Sequence, residues 1–412
     1  MDKSIWGNKS FIFYLIGQTI SSLGDGFYLI AFMWLALQLS GGKGLVLGGI
    51  FSIYTLNEVI FGFIAGPIAD KFNKKKILII VDILRGAVVL FLFILVRLNI
   101  VTVVYLYAIT FIFSVFSPFF HRTEFTIVPQ LVPKELLLKA NGVITGARRL
   151  MQVISPGLGG ILISLVRIEN CFLIDALTFF FSSFCIIFVV VQYSRKETES
   201  IKLKSLFVNI KEGYRILVGS SFLLTLAIYA ACINFFGGPV MPLLPLLATK
   251  YGMEASGYGM MMSVLSIGLI ASSLLIGFLG KILRRIPMIL TGLIISAIAV
   301  LIMGIGFVPI VILIALFFLG AGLSLSNLPI TTLFQEKVSS DKIGVVSSFV
   351  FTIAQIALPI SIALSGFLVD ILSISIIFIA VGIMLLISAF VGFALPQFKK
   401  PTMGPRSFGA DV

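Results

Sequence analysis

The sequence predicts an all-α polytopic membrane protein with twelve transmembrane helices in two pseudo-symmetric six-helix halves. Three observations carry that prediction. The 412 residues are 59% hydrophobic and 11% charged, with a mean hydropathy of +1.15, whereas a soluble domain carries about 25% charged residues. Twelve apolar runs are long enough to cross a bilayer, which takes about 20 residues. A glycine pattern followed by basic residues closes the second run and recurs after the eighth.

The runs are 11–39, 45–69, 77–96, 100–120, 140–166, 171–192, 221–248, 257–280, 286–306, 308–328, 343–369 and 374–395. The first is too long for a signal-peptide core of roughly 7–15 residues, and no small-residue cleavage site closes it. It is expected to stay as the first span. The longest connection, 193–220, separates six spans from six. It gives an N-terminal half (1–192), a cytoplasmic linker (193–220), a C-terminal half (221–395) and a cytoplasmic tail (396–412). In the linker, Leu206, Ile210, Tyr214 and Leu217 share one face at helical spacing, so an amphipathic helix along the inner leaflet is expected.

Lysine and arginine set the orientation. With the amino terminus inside, 23 of the 30 lie in inner connections, and only Lys43, Arg97, Arg167 and Lys250 lie in outer ones. Arg85, Arg148 and Arg149 fall within spans. The positive-inside rule then places both termini in the cytoplasm. The net charge of +13 does not indicate a nucleic-acid partner, because the cations are scattered among short loops without interleaved aromatics. Cys171, Cys185 and Cys232 stand singly, with no metal-ligand or redox spacing. Gly41-Gly42-Lys43-Gly44 lacks the spacing of a phosphate loop, and no His-Glu-x-x-His occurs. An ATP-driven pump, a metalloprotease and enzymes generally are set aside, and no metal site is expected.

The two halves echo each other. Gly66-Pro67-Ile68-Ala69-Asp70-Lys71-Phe72-Asn73-Lys74-Lys75-Lys76 closes the second span, and Gly277-Phe278-Leu279-Gly280-Lys281-Ile282-Leu283-Arg284-Arg285 closes the eighth. Lys281 replaces the acid in the second copy. Val132-Pro133-Lys134-Glu135 has a weaker echo in Val338-Ser339-Ser340-Asp341, and Pro156 of span five matches Pro359 of span eleven. Two halves descended from one unit is the pattern of a transporter with its site near the membrane midplane.

At these motifs the chain resembles the major facilitator superfamily. Residues 66–76 resemble that family's Gly-x-x-x-Asp-(Arg/Lys)-x-Gly-(Arg/Lys)-(Arg/Lys) loop, with Asn73 in place of the second glycine. Asn73 is expected to keep the turn by adopting a left-handed conformation. Ser155-Pro156-Gly157-Leu158-Gly159-Gly160 is similar to an antiporter element, Gly-Pro-x-x-Gly-Gly. Pro129-Gln130-Leu131-Val132-Pro133-Lys134-Glu135-x-Leu137-x-x-Ala140-Asn141, with Asp82-x-x-Arg85 and Ile174-Asp175-Ala176, resembles the branch of proton-coupled drug antiporters containing macrolide-efflux proteins and the enterobactin exporter.

Asp25 and Glu58 lie near the middles of spans one and two. Asp25 is some 20 Å from either end of its run at about 1.5 Å per residue, too far to reach water along the helix. Acids at that depth usually face a bundle interior or a watery cavity. They are the candidate proton-coupling and cation-binding site, with Gln18, Asn57 and Asn234 as further cavity candidates. The resemblance implies that spans one and two line a central cavity and that Asp70 latches one transport state. A carboxylate there can also sit at the amino end of span eleven, where a helix carries partial positive charge. Gly66, Asp70, Lys71, Lys74, Asp82, Arg85 and Arg148 form the candidate conformational switch, with Asp82 and Arg85 one turn apart and able to pair. Pro156, Gly157, Gly159 and Gly160 are the candidate helix-packing motif, with Pro156 expected to break or bend span five. Asp175 is placed a turn from the outer end of span six, reaching water, and His121 in a solvated loop.

These readings converge on a secondary active exporter of a small amphipathic molecule, such as a drug, macrolide or siderophore, working by alternating access. No cofactor is expected, the proton gradient being the energy source. The expected partners are the small-molecule substrate, protons and the bilayer, the chain being a monomer in a bacterial cytoplasmic membrane. A uniporter or importer, and a sensor that has lost transport, stay open at this point.

Overall fold

A computed structural model describes residues 4–191, 215, 217–279, 284–306, 308–338 and 343–399. The amphipathic linker stretch and the 400–412 tail lie almost wholly outside the described residues. Twelve stretches are long and apolar enough to cross a membrane, and among the described residues every regular element is helical.

Six helices form the first half: α1 (Lys9–Leu39), α2 (Gly44–Lys71), α3 (Lys74–Arg97), α4 (Val103–Leu131), α5 (Leu137–Val166) and α6 (Ile168–Ile187). Span seven is two helices, α7 (Ser221–Gly237) and α8 (Val240–Lys250). Spans eight to ten are α9 (Ala255–Leu279), α10 (Arg285–Ile305) and α11 (Pro309–Lys337). Span eleven is again two helices, α12 (Ile343–Ile356) and α13 (Leu358–Ile371). α14 (Ile374–Ala394) is span twelve, and α15 (Pro396–Lys399) is a single turn after it. Each interruption falls at or just before a proline, at Gly238-Pro239 and ahead of Pro359, because proline offers no N–H to the carbonyl one turn back.

Two local expectations are corrected, and of the break or bend expected at Pro156 the break does not occur. α5 runs unbroken through Pro156; the neighbouring Ser155 hydroxyl donates to the Met151 carbonyl at 2.6 Å, one turn back. Asn73 is not left-handed. It has φ −63° and caps α3, its side-chain oxygen accepting from the Lys76 N–H at 3.2 Å, so an ordinary asparagine cap does the work assigned to a left-handed turn. α4 continues well past residue 120 to Leu131, so His121 lies on a helix rather than in a loop.

The residues group into two compact units. The first joins 1–200 with 241–266 and 362–371; the second comprises 201–240, 267–361 and 372–412. In the first, the start of α1 and of α3 and the end of α4 close over a core of Phe11, Tyr14, Leu78, Val81, Phe120, Ile127, Leu131 and Ile144. In the second, α10 packs between α11 and α14. Phe125, Leu138 and Phe278 are each more than 80% exposed, which suits hydrocarbon and not water.

Candidate functional site

Tyr14, Gln18, Ser21, Asp25 and Tyr28 follow one another along α1 at steps of three and four residues, so they share one face. Both ends of that stripe meet α4. The Tyr14 hydroxyl donates to Glu124 Oε1 at 3.2 Å, and the Tyr28 ring stacks on Phe113 with centroids 5.1 Å apart. Asp25 lies between them and therefore faces the interior of the bundle. It is nevertheless exposed, and among the described residues it makes no hydrogen bond and no ion pair. A carboxyl at mid-helix thus stands without a hydrogen-bond or ion-pair partner of its own.

The residues beside Asp25 hold it there. Gly24 faces α6, where an added Cβ would overlap Thr178 Oγ1 and lie 2.5 Å from Asp175 Oδ1. Gly26 faces α5, where a Cβ would overlap Ser155. Two glycines let α1 seat backbone-close against both neighbours, and Asp25 projects between those contacts.

Behind this wall runs a buried polar network. Gln18 Nε2 donates to Ser182 Oγ at 3.0 Å, and Ser182 in turn donates to Asp82 Oδ2 at 2.7 Å, linking α1, α6 and α3. Asp82 is fully buried and its Oδ1 has no partner. Arg85 donates to Ser117 Oγ at 3.1 Å. Its guanidinium lies 4.7, 5.5 and 5.9 Å from the ring centroids of Phe120, Phe113 and Phe179. Asp82 and Arg85 do not form an ion pair with each other; each has found its own partner on a different helix.

A second cluster sits nearer the start of α1 and the end of α4. Glu124, buried on α4, accepts from both Tyr14 and Arg148, and His121 Nδ1 lies 3.9 Å from its other oxygen. Arg148 therefore neutralises Glu124 from α5, while Arg149 donates to Gln152 at 3.0 Å on its own helix. Glu124 and Tyr14 were not singled out in the sequence. The signal was available: an acid three residues after His121 marks a helical face once the span extends beyond residue 120. Asp175 is also repositioned. It is fully buried two turns into α6, with Oδ2 unpartnered, because the span starts at Ile168, not at residue 171.

The remaining candidates separate cleanly. Glu58 is half-buried and unpaired among the described residues. Its neighbour Asn57 donates to Ser114 Oγ at 2.7 Å and to the Phe111 carbonyl at 3.2 Å, tying α2 to α4. Asn234, in the second unit, donates to the Ala354 carbonyl at 2.9 Å. Gln18, Asn57 and Asn234 thus spend their amides on helix contacts, while the two acids remain open. Gly66 has open space around it, Lys71 lies 5.7 Å over the Phe72 ring and Lys74 begins α3. The Asp70 side chain lies outside what is described.

The Ser155–Gly160 segment packs on two sides. A Cβ at Gly159 would lie 3.1 Å from Phe27 Cα of α1, and one at Gly160 would lie 2.6 Å from the Ala255 carbonyl oxygen of α9. A Cβ at Gly259 of α9 would overlap the Pro156 carbonyl, and one at Gly157 would lie 2.9 Å from Ser263 Oγ. α5 is therefore held between α1 and the first turns of α9.

A family model described as transmembrane secretion effector matches residues 6–409. Macrolide efflux protein A of Streptococcus pyogenes is 24% identical over 405 residues, covering 96% of this chain and 98% of its own. Multidrug efflux pump Tap of Mycolicibacterium fortuitum is 25% identical over 400 residues, covering 94% and 95%. Among solved structures, a bacterial homologue of the iron transporter ferroportin superposes with TM-score 0.77 at 15% identity over 96% of this chain and 100% of that one. A D-xylose–proton symporter superposes with TM-score 0.73 at 13% identity over 95% and 100%.

Proposed function

The chain belongs to the transmembrane secretion effector family of major facilitator transporters, and on that premise we propose that it is a proton-coupled exporter of small amphipathic molecules bearing a cationic group. The supporting observation is Asp25, a carboxyl facing the bundle interior at mid-helix, open and unpaired. An acid at membrane depth is costly to keep unless it functions. One carboxyl can hold either a proton or a positively charged group, and that competition is the simplest means of exchanging one for the other. Glu58 on the neighbouring span is the second unpaired acid. The named efflux relatives support outward transport, and the cation count along the chain supports a cytoplasmic amino terminus. The reaction needs no cofactor beyond the proton gradient, each charge gaining roughly 2.3 kcal/mol per 100 mV crossed. A monomer in a bacterial cytoplasmic membrane is sufficient for it.

The test is export from proteoliposomes under an imposed pH gradient, with a panel of drugs, macrolides and siderophores. Asp25→Asn is expected to reduce gradient-driven export at least tenfold, and Glu58→Gln to reduce it less. Full gradient-driven export by both variants rejects the assignment.

A further inference from the structure

We propose that Asp370 is the latch of an outer gate, a carboxylate from span eleven that caps the amino end of span two and must let go each time that side opens. Asp370 Oδ1 accepts from the Gly44 N–H at 2.6 Å, and Oδ2 accepts from the Leu45 N–H at 3.1 Å. These are first-turn amides of α2, which no carbonyl of that helix can satisfy. α2 has no side-chain cap of its own, since Lys43 at the capping position makes none. The missing cap is therefore supplied from 325 residues further along the chain, in the other sequence half.

The surrounding contact is built to let the carboxylate reach. Gly48 of α2 faces Gly366 and the Ile362 carbonyl of α13; a Cβ there would lie 2.7 Å from that oxygen. A Cβ at Gly366 would lie 2.6 Å from the Gly44 carbonyl. Backbone meets backbone along the seam, and the two amide bonds to Asp370 close its end. All these residues belong to one compact unit. Lys43, beside the latch, is among the few cations the charge bias assigns to the outside.

The spacing deepens the assignment. Gly366-Phe367-Leu368-Val369-Asp370 repeats the Gly-x-x-x-Asp of Gly66-Pro67-Ile68-Ala69-Asp70. Each motif ends a span, one on the cytoplasmic side and one on the outer side. In the outer copy the glycine provides close approach and the acid, one helical turn on, provides the cap. A carboxylate at a helix amino end is favourable yet weak enough to release, as a gate in a cycling transporter requires. The proposal rests on the alternating-access reading, since a latch matters only if the seam opens.

The test uses the full chain with Cys171, Cys185 and Cys232 replaced and spin labels at Ile100→Cys and Ile310→Cys, on outer ends of the two sequence halves. Electron–electron distance measurements report the open and closed populations. Losing a cap of this kind shifts an equilibrium by about fivefold, so Asp370→Ala is expected to raise the longer-distance population by about that factor, and Asp370→Asn, which keeps one of the two acceptor oxygens, by less. Asp370→Glu, which keeps the charge, is expected to retain most of the closed population. Asparagine preserves the side-chain shape, and size-exclusion profiles check that each variant is folded. Unchanged distance distributions in both the Asn and Ala variants overturn the latch. Absence of gradient-driven export by the native chain in proteoliposomes would instead overturn the exporter reading, leaving the distance result to decide Asp370 by itself.

Discussion

The Glu124 carboxylate binds the Arg148 guanidinium across the contact between α4 and α5, and through the same oxygen, Oε1, it accepts from the Tyr14 hydroxyl of α1. One buried acid thereby ties three helices together. Removing one partner of a buried pair leaves the other charge uncompensated, which costs about 3–5 kcal/mol in a sealed site. Arg148 is 40% exposed, so water recovers much of that. Arg148→Gln and Glu124→Gln are each expected to lower the thermal midpoint in detergent. The double variant is expected to lose less than the sum, by about 1 kcal/mol. Additive losses would show that the pair does not act as a unit.

The glycines of α1 and α5 divide into two groups by what surrounds them. Gly24→Ala and Gly160→Ala drive a methyl into a neighbouring helix, and overpacking of this kind costs about 1–3 kcal/mol. Gly142 and Gly146 on α5 have nothing within 4 Å of an added Cβ. Alanine there is expected to stabilise by about 0.5–1 kcal/mol, through the backbone entropy glycine gives up in a helix. Thermal unfolding of the four single variants checks this, and equal effects in both groups would remove the packing argument.

Gln18 and Asn57 separate structure from transport. Each makes an interhelical hydrogen bond, worth about 0.6 kcal/mol on average inside membranes. Gln18→Ala and Asn57→Ala are expected to lose about that much stability while leaving the substrate concentration for half-maximal export within twofold of native. Asp25→Asn is expected to show the reverse profile, with little loss of stability and a large loss of export. A change in substrate preference on altering Asn57 would return it to the substrate wall.

Arg85 is held by geometry that lysine cannot reproduce. Its planar guanidinium lies between three phenylalanine rings while donating to Ser117, and an ammonium neither stacks nor forks in that way. Arg85→Lys is therefore expected to destabilise by about 1–2 kcal/mol despite keeping the charge. Phe120→Leu, which removes the nearest ring, is expected to lose stability in the native chain but little further in Arg85→Lys. Thermal midpoints of the two singles and the double give the answer.

What the sequence made legible followed from strong, summed signals. The twelve spans rest on hydrocarbon length summed along each run, so errors at single residues do not matter. Asp25 and Glu58 were visible because an acid in an apolar run stands out by itself. Asp175 was misplaced because the three residues opening α6 carry Glu169 and Asn170, which hid the true start of the helix. Glu124 was overlooked for a related reason: its charge made the end of α4 look like a loop. The amide side chains could not be assigned at all, since whether Gln18 meets a cavity or Ser182 depends on helix rotation that periodicity does not specify. Asp370 was passed over as the end of a span, because its value lies in a helix terminus more than 300 residues away.

Where α5 meets α9 and where α2 meets α13, glycines Gly160, Gly259, Gly48 and Gly366 are set against main-chain carbonyls. A main-chain carbonyl is the same whatever the residue, so those points of contact do not tell one cargo from another. On the exporter reading proposed above, inherited changes in which compound is expelled are expected at other positions, around Asp25 and Glu58. Changes along the glycine lines are expected to weaken expulsion of every compound together. In a population selected first on one transported compound and then on another, variants that switch cargo and variants that lose export should fall in two separate sets of codons.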